Sequence, residues 1–221
     1  TLKRKKPGWG NVRLVKASLI MEQSAVTVKG LKKTYGNFEA VSNLDLNIAS
    51  GEFFGLLGPN GAGKTTSIHM ISSLVRPTSG HASIFGLDVV KNSVDVRGKI
   101  GLVFQDSALD RQLSVWENLR FAGLLHNLPF KLVKDRAKHL LDMFNLTEKK
   151  NVPVFALSGG QRRILDIARG IMHEPKILFL DEPTIGLDLP TRRNIWRYIH
   201  QLRSQTGMTV LLTTHYLEEA E

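Results

Sequence analysis

The chain has 221 residues, enough for one large domain or a core with a subdomain, and its 42% hydrophobic and 23% charged content is typical of a folded globular protein. It contains no cysteine, which excludes a disulfide framework and a thiolate metal site. The longest apolar runs, at residues 53–57 and 177–180, have the length of strands, and none approaches the roughly 20 residues that a membrane-spanning helix requires.

The formal net charge of +10 is distributed unevenly. Residues 1–20 contain six basic and no acidic residues, so this segment supplies +6 and the remaining 201 residues supply +4. The segment lacks the apolar core of a secretion signal, and we predict a disordered basic extension or a segment added to the natural protein. Adhesion to acidic lipid or nucleic acid is the alternative role. The folded domain is expected at residues 21–221.

The domain opens with strand patterns. Apolar and polar residues alternate at 25–29 and at 44–48, which predicts two strands with one exposed face and a turn near Gly36 between them. Residues 53–57 are apolar apart from one glycine and predict a buried strand.

A glycine-rich loop follows the third strand and precedes a helical pattern at residues 64–74, which Pro77 ends. The loop and the start of the helix read Gly58-Pro59-Asn60-Gly61-Ala62-Gly63-Lys64-Thr65-Thr66. The three glycines let the backbone bend so that its amide hydrogens point at nucleotide phosphates, and the helix N-terminus adds its dipole. Lys64 adds a positive charge, and Thr65 offers a hydroxyl to Mg²⁺. Strand, loop and helix in this order are the context that a phosphate-binding loop requires.

The middle of the chain changes from strands to helices. Residues 81–85 and 100–104 predict strands, whereas residues 114–146 have a helical pattern that Pro129 divides in two. The Ser-x-x-Glu sequence at 114–117 predicts a capping box at the start of the first of these helices.

The last third of the chain returns to α/β alternation. A helix is predicted after residue 161, on the spacing of Ile164, Ile167, Ala168 and Ile171. Residues 176–180 predict a strand, residues 190–205 a helix and residues 209–213 another strand. Strands that alternate with helices predict a parallel sheet.

Two adjacent acids follow the apolar run at residues 177–180. Asp181 ends the predicted strand, where a buried carboxylate can hold Mg²⁺ directly or through water. Glu182 comes next, and the alternation of strand side chains predicts that it faces the other side, where it can polarise a water that attacks the γ-phosphate. The alternative is a cap for the following segment, which two adjacent acids after four apolar residues disfavour.

A further motif, Leu157-Ser158-Gly159-Gly160-Gln161, lies between the glycine-rich loop and the acidic pair. A serine and two glycines at the start of a helix form a second anion-binding site. The three motifs in this order resemble the nucleotide-binding domain of ATP-binding cassette (ABC) proteins. The resemblance extends from about Val26 to the last residue.

The resemblance implies a fold class. It predicts an α/β P-loop NTPase core with a mainly parallel sheet, an N-terminal antiparallel β subdomain, and a helical signature subdomain at about residues 106–172. Domains of this family normally continue with another helix and further strands, so the C-terminal end at Glu221 is expected to be truncated.

The resemblance also assigns roles to single residues. Gln105 would contact Mg²⁺ and the attacking water, His215 would contact the γ-phosphate, and Tyr35 would stack on adenine. The segment 157–161 would bind the γ-phosphate of ATP held by a second cassette, and Asp188 lies in a loop that would contact that cassette. Without the resemblance, Gln105 is a surface loop residue, His215 is structural, and Tyr35 is a hydrophobic plug at the end of a strand.

The function implied is that of an ATPase that uses ATP and Mg²⁺ and works as a head-to-tail pair, with a second copy or with a homologous cassette. Separately encoded transmembrane permease subunits would dock near residues 105–125, at the cytoplasmic face of the cell membrane. Residues 101–105 and 212–220 resemble prokaryotic drug exporters of the daunorubicin-resistance type, so we expect export rather than import.

The alternative function is that of a nucleic-acid-associated cassette ATPase. Only 91 residues separate Thr65 from Leu157, which excludes the long coiled coil of chromosome-type clamps. Translation-type members usually carry two cassettes, and this chain has one. We therefore expect no specific nucleic-acid partner.

Overall fold

A computed structural model of the protein describes residues 24–216, so the predictions for residues 1–20 and 217–221 lie outside the described range. The strands are β1 (Ser24–Tyr35), β2 (Phe38–Ala49), β3 (Phe53–Leu57), β4 (Ser79–Ile84), β5 (Leu87–Asp88), β6 (Ile100–Val103), β7 (Ile177–Asp181) and β8 (Thr209–Thr214). The α-helices are α1 (Lys64–Ile71), α2 (Ser93–Lys99), α3 (Val115–Leu125), α4 (Phe130–Met143), α5 (Gly159–Gly170) and α6 (Leu189–Thr206). Short 3-10 helices occur at Thr147–Lys149 and Val154–Ala156.

An antiparallel sheet has the strand order β2-β1-β4-β5. β1 and β2 form a long hairpin that ends at the pair Tyr35–Phe38, and Gly36 in its turn has φ 57°. Both strands are longer than the alternation predicted, because backbone pairing continues through residues that have no alternating pattern. The predicted antiparallel β subdomain is confirmed.

A parallel sheet has the strand order β3-β8-β7-β6. Asp181 at the end of β7 pairs with Thr213 near the end of β8, so these strands end at the same edge. The glycine-rich loop follows β3, Glu182 follows β7, and His215 follows β8. Ligands of open parallel sheets bind outside the carboxyl ends of the strands. The confirmed parallel topology therefore gathers three sequence motifs at one edge.

β7 is buried along its whole length and separates two hydrophobic clusters. Leu178 and Leu180 belong to the cluster that includes the helices α3, α4, α5 and α6. Ile177 and Phe179 belong to the cluster that includes the antiparallel sheet and α1. Successive side chains of a strand point to opposite faces. Packing on both faces thus fixes the strand that carries Asp181.

Three helices form the helical subdomain. α3 and α4 approach closely at Gly123, where an added Cβ would lie 2.5 Å from Val133 Cγ2, and Leu165 of α5 belongs to the same cluster. The predicted capping box is confirmed, because Glu117 N donates to Ser114 Oγ at 3.2 Å and Ser114 N donates to Glu117 Oε2 at 2.8 Å. Within the described residues no helix combines the length and the apolarity needed to cross a bilayer.

Three local predictions differ from the structure. α1 ends at Ile71 rather than at residue 74, because Ser73 adopts φ 65°, outside the helical region. β3 is half-buried rather than buried, and Leu57 is 47% exposed, because β3 lies at the edge of the described parallel sheet. α2 was not predicted, because Val96 is its single buried residue and the helix has no periodic apolar face.

Candidate functional site

The glycine-rich loop connects β3 to α1 at the carboxyl edge of the parallel sheet. Gly61 and Gly63 have φ 84° and 86°, which side chains other than glycine rarely adopt. A Cβ on Gly63 would lie 2.4 Å from Ala40 O, so the loop is also packed tightly against β2. Inside the loop, Ala62 N donates to Pro59 O at 3.2 Å. The glycine-rich loop therefore forms a tight bend at a helix N-terminus, where backbone amides can bind an anion.

Lys64 turns back over the loop. Its Nζ donates to Gly58 O at 2.7 Å and to Pro59 O at 3.1 Å, and it lies 3.3 Å from Glu182 Oε1. The side chains of Lys64 and Glu182 are 8% and 6% exposed. This places a buried ammonium beside the loop and joins two motifs that are far apart in sequence.

Asp181 and Thr65 offer oxygen ligands of the kind that Mg²⁺ prefers. Thr65 Oγ1 donates to Asp181 Oδ1 at 3.1 Å, and Thr213 Oγ1 donates to the same oxygen at 2.5 Å. Asp181 is buried, so these hydroxyls fix the direction of its carboxylate. A carboxylate and a hydroxyl in hydrogen-bond contact fit a Mg²⁺ site beside the phosphate loop.

The alternation of strand side chains, which predicts the direction of Glu182, does not extend to this residue. β7 ends at Asp181, and Glu182 adopts φ 44°, so the alternation of side chains stops between them. As a result, Asp181 contacts Thr65 and Glu182 contacts Lys64. Glu182 Oε2 lies 3.3 Å from His215 Nδ1, yet it is buried and accepts no hydrogen bond from the described residues.

A cavity of about 290 Å³ lies beside Lys64. Its lining brings together four segments of the chain, namely Phe38, Ala40, Asn60, Gly61, Gly63, Lys64, Thr65, Thr66, Gln105 and Glu182. Gln105 is exposed and follows the end of β6 by two residues. The cavity therefore includes the predicted Gln105 and Glu182 together with most of the loop.

The aromatic residue in this cavity is Phe38 rather than Tyr35. Phe38 is 65% exposed and lines the cavity, whereas Tyr35 is paired with it across the hairpin turn and does not. Lys33 Nζ lies over the Tyr35 ring, 4.8 Å from its centroid. Phe38 was not predicted as a site residue, although it directly follows the predicted turn.

The segment 157–161 caps the start of α5. Gln161 N donates to Ser158 Oγ at 3.2 Å, and Ser158 N donates to Gln161 Oε1 at 3.0 Å, which makes a second capping box. Leu157 is buried as an anchor, and a Cβ on Gly160 would lie 2.4 Å from Thr191 Cγ2. The motif thus presents a helix N-terminus of fixed direction.

The two predicted anion-binding sites remain apart within one chain. Gly159 lines a separate cavity of about 170 Å³, and no residue of the segment 157–161 lines the described cavity beside Lys64. Gln105 lines both cavities. This geometry agrees with the prediction from the sequence, in which the segment 157–161 binds ATP held by a second cassette rather than ATP on its own glycine-rich loop.

Asp188 acts as the N-cap of α6. Its Oδ2 accepts from Thr191 N at 3.3 Å and its Oδ1 accepts from Thr191 Oγ1 at 2.7 Å. The Thr191 hydroxyl is the main reason why the pKa of Asp188 lies below its usual range. Asp188 does not line the cavity beside Lys64, so the structure gives it a capping contact rather than one within that cavity.

Sequence analysis also missed Arg163 and Thr213. Arg163 is 8% exposed and donates to main-chain carbonyls of both β6–α3 and β7–α6 loops. Thr213 orients Asp181 and accepts from Glu182 N at 2.9 Å. Each is a polar residue at a position that the apolar periodicity of its helix or strand predicts to be buried. This was the signal available in the sequence.

Comparisons with known protein families and with curated proteins agree with each other. A model of the ABC transporter family matches residues 41–185. The chain is 46% identical over 201 residues to the daunorubicin resistance ATP-binding protein DrrA3 of Streptomyces coeruleorubidus, which covers 91% of this chain and 63% of the relative. It is 42% identical over 193 residues to the linearmycin resistance ATP-binding protein LnrL of Bacillus subtilis, which covers 87% and 62%.

Solved structures agree with the sequence relatives. The dimeric ATP-binding cassette MJ0796, in a post-hydrolysis state bound to ADP and Pi, aligns with a TM-score of 0.79 and 32% identity over 88% of this chain and 90% of that one. The present chain spans about three fifths of the length of the two curated relatives. The family match covers more than half of the chain, and the resemblance seen in the sequence is confirmed. The chain belongs to the ABC transporter family.

Proposed function

We propose that the chain binds ATP with Mg²⁺ and hydrolyses it as the ATPase part of an ABC transporter, and that the transporter exports its substrate. One observation carries the proposal: Lys64, Asp181 and Glu182 converge beside a glycine-rich loop at the carboxyl edge of a parallel sheet. Such convergence supplies a cation for phosphates, a carboxylate for Mg²⁺ and a second carboxylate for water. The drug-resistance names of the two relatives support the direction of transport.

The side chains of the site have separable tasks. Lys64, now bonded to two carbonyl oxygens and Glu182, would exchange these partners for phosphate oxygens. Thr65 and Asp181 would hold Mg²⁺, which when bound neutralises charge on the phosphate oxygens. Oε2 of Glu182, which accepts no hydrogen bond from the described residues, would accept a proton from the attacking water. Gln105 and His215 would contact the γ-phosphate region. Tyr35, which is paired with the cavity-lining Phe38 across the hairpin turn, would stack on adenine just outside this cavity.

A composite site between two cassettes follows from the separation of the two anion-binding motifs. Gly159 and Lys64 line different cavities. A helix N-terminus such as that of α5 binds an anion only when the anion is brought to it. We therefore propose a head-to-tail pair in which residues 157–161 of one cassette cover ATP on the loop of the other. The second cassette is another copy or a homologous chain.

A membrane partner is supported by the helical subdomain, for which we propose the bounds 106–172. Phe121 and Leu125, four residues apart on α3, are 50% and 59% exposed, and Phe130 at the start of α4 is 56% exposed. Large apolar side chains exposed together mark interaction surfaces. Separately encoded permease subunits would cover this surface near residues 105–125, and the ATPase would then be peripheral at the cytoplasmic face.

A mixing experiment tests both hydrolysis and the composite site. Lys64→Met destroys the phosphate loop and keeps the signature, whereas Ser158→Arg blocks the signature and keeps the loop. Each variant alone should be inactive in Mg²⁺-dependent ATP hydrolysis. An equal mixture should recover about one quarter of the activity of the unaltered protein, because half of randomly formed pairs contain one intact composite site of two.

Four outcomes would each contradict a part of this proposal. Full activity of Ser158→Arg alone would show that the signature of a second cassette is not needed, and full activity of Lys64→Met alone would remove Lys64 from its proposed role. Absence of ATP hydrolysis by the unaltered full-length protein, in the presence of its membrane subunits, would contradict the ATPase role. The rate of hydrolysis by the unaltered protein is also measured at protein concentrations too low to saturate pairing. A rate that rises only linearly with protein concentration would contradict association of two copies.

A further inference from the structure

Arg163 occupies an unusual position on α5. It lies five residues after Ser158, and although it is charged, it is only 8% exposed. Burial lowers the pKa of its guanidinium, which nevertheless stays protonated at neutral pH. Since burying a charge is costly unless it is paired and hydrogen-bonded, this side chain requires an explanation.

All three guanidinium nitrogens donate to main-chain carbonyl oxygens. Nη1 donates to Phe104 O at 2.5 Å, and Nε donates to Pro183 O at 2.7 Å. Nη2 donates to Asp181 O at 3.0 Å and to Glu182 O at 3.2 Å. One side chain from the signature helix therefore holds the loop that carries Glu182 and the residue that precedes Gln105.

The Glu182 backbone is where such support has the most effect. Glu182 adopts φ 44°, a region that a side chain other than glycine occupies only when its surroundings enforce it. Thr213 holds its N–H at 2.9 Å, and Arg163 holds its carbonyl oxygen and that of Pro183. The peptide groups on both sides of the Glu182 side chain are thus fixed from two different elements.

Asp166, three residues further along α5, holds the Gln105 segment from the same helix. Its carboxylate accepts hydrogen bonds from the Ser107 side chain and the Ala108 backbone, and it interacts with Arg163. Burial raises the pKa of Asp166, and the Ser107 bond and the Arg163 charge oppose that shift. The α5 pair Arg163 and Asp166 therefore contacts the chain on both sides of Gln105.

We propose that Arg163 is a positioning residue, which sets the main-chain geometry of Glu182 and of the Gln105 segment relative to the signature helix. The inference rests on the proposed ATPase function. A signature helix that moves when it meets ATP on the other cassette moves Arg163 with it. Hydrolysis, rather than ATP binding, then depends on Arg163, because Lys64 is held by carbonyl oxygens of its own loop, Gly58 O and Pro59 O.

The test separates turnover from binding in the full-length protein with its membrane subunits. Arg163→Gln should lower kcat by about tenfold or more, since small displacements of catalytic groups have effects of this order, while the Kd for Mg-ATP changes less than about threefold. Arg163→Lys keeps the charge but loses the fork, and it should restore part of kcat. Kd is measured with a fluorescent ATP analogue.

The matched control is Arg203→Gln. Arg203 Nε also donates to a main-chain carbonyl, Gly51 O at 2.9 Å, but at the opposite end of the parallel sheet from the cavity. This variant should keep both kcat and Kd within about twofold of the unaltered protein. Unfolding midpoints are measured for all variants. If Arg163→Gln does not fold, kcat and Kd are compared between Arg163→Lys and the unaltered protein instead.

A double variant asks whether Arg163 acts through Glu182. On a Glu182→Gln background, Arg163→Gln should change the residual single-turnover rate by less than about twofold, because residues that act as a unit are not additive. A full multiplicative loss in this background would overturn the inference, as would equal losses of kcat and ATP affinity. Normal turnover by Arg163→Gln, with an active unaltered protein, would refute this inference alone. An inactive unaltered protein would instead refute the proposed function.

Discussion

Lys64 and Glu182 form a nearly buried ion pair, with Nζ 3.3 Å from Oε1. Buried ion pairs stabilise a fold little unless their remaining polar atoms are satisfied. Lys64 meets this condition through two carbonyl oxygens, whereas Oε2 of Glu182 accepts no hydrogen bond from the described part of the chain. At the scale of a single residue, this arrangement supports the proposed chemical role of Glu182 more than it stabilises the fold.

Glu182→Gln should separate ATP binding from hydrolysis. The amide keeps the shape of the side chain but removes the base and the negative charge that opposes the phosphates. We expect phosphate release to fall by about 10²–10⁴-fold, the range of general-base contributions, with unchanged or tighter ATP binding. Phosphate release is followed in solution, and gel filtration with ATP should show an accumulated pair.

Glu174→Gln is the control for this change. The Glu174 side chain is 69% exposed and forms an ion pair with Arg136 away from the cavity. The substitution removes the same charge as Glu182→Gln. It should leave the rate of phosphate release within about twofold of that of the unaltered protein, because exposed ion pairs contribute little. Near-normal phosphate release from Glu182→Gln would remove Glu182 from its proposed role.

At the scale of elements, the start of α5 meets the start of α6. Thr191 is fixed by its Oγ1, which donates to Asp188 Oδ1 at 2.7 Å, and its Cγ2 lies against Gly160. A Cβ at residue 160 would be 2.4 Å from that methyl carbon. Rotation of Thr191 away from the clash would break the cap of α6. The second glycine of the signature motif is therefore required by packing as well as by any anion.

Gly160→Ala should lower the free energy of unfolding by about 1–3 kcal/mol, the usual cost of overpacking. Adding Thr191→Ser removes the methyl group, keeps the hydroxyl that caps α6, and should restore most of the loss. Urea unfolding measures both. If the double variant is no more stable than Gly160→Ala, the methyl contact is not the cause.

Gly98→Ala is the matched glycine control. Gly98 lies in α2, is exposed, and an added Cβ would meet no atom within 4 Å. Because alanine is the better helix former, this change should raise stability by about 0.5–1 kcal/mol. A comparable loss at residues 98 and 160 would contradict the packing argument.

At the scale of the whole molecule, the histidine pair His126 and His173 joins the end of α3 to the segment before β7. Their rings stack with centroids 3.7 Å apart, and His173 Nε2 lies 2.9 Å from Ile100 O. Burial, together with His126, lowers the pKa of His173 to about 4. Arg136 adds to this effect. The folded protein therefore holds His173 neutral under mildly acidic conditions.

The free energy of unfolding should consequently decrease as the pH is lowered from about 6.5 to about 4. In this window the unfolded chain binds a proton at residue 173 and the folded chain does not, so acid favours unfolding. We expect His173 to account for about 1–2 kcal/mol, less than the full linkage value because the ring is partly exposed. His173→Gln should flatten this part of the curve, whereas His81→Gln, at an exposed site, should leave it unchanged. Equal slopes for the His173→Gln variant and the unaltered protein would contradict the assignment.

Local patterns in the sequence accounted for most elements and for the chemistry of the main motifs. Glycines followed by Lys64 predict a phosphate loop, and Ser114 predicts a helix start, because backbone freedom and capping depend on neighbouring residues. The acids after β7 were found because an apolar run ending in charge is visible without a structure. In contrast, the end of α1 was misplaced, since Ser73 at φ 65° has no counterpart in the apolar periodicity.

The sequence by itself determined the family, the order of the motifs and the candidate residues for holding phosphate and Mg²⁺, because each depends on short spacing. Tertiary structure alone decided that Glu182 faces Lys64, that Phe38 lines the cavity and that Arg163 joins two loops. Arg163 and Phe104 are 59 residues apart, and Thr65 and Asp181 are 116 apart. Contacts over such separations arise from sheet order and packing, which leave no periodic signal in either partner's own segment.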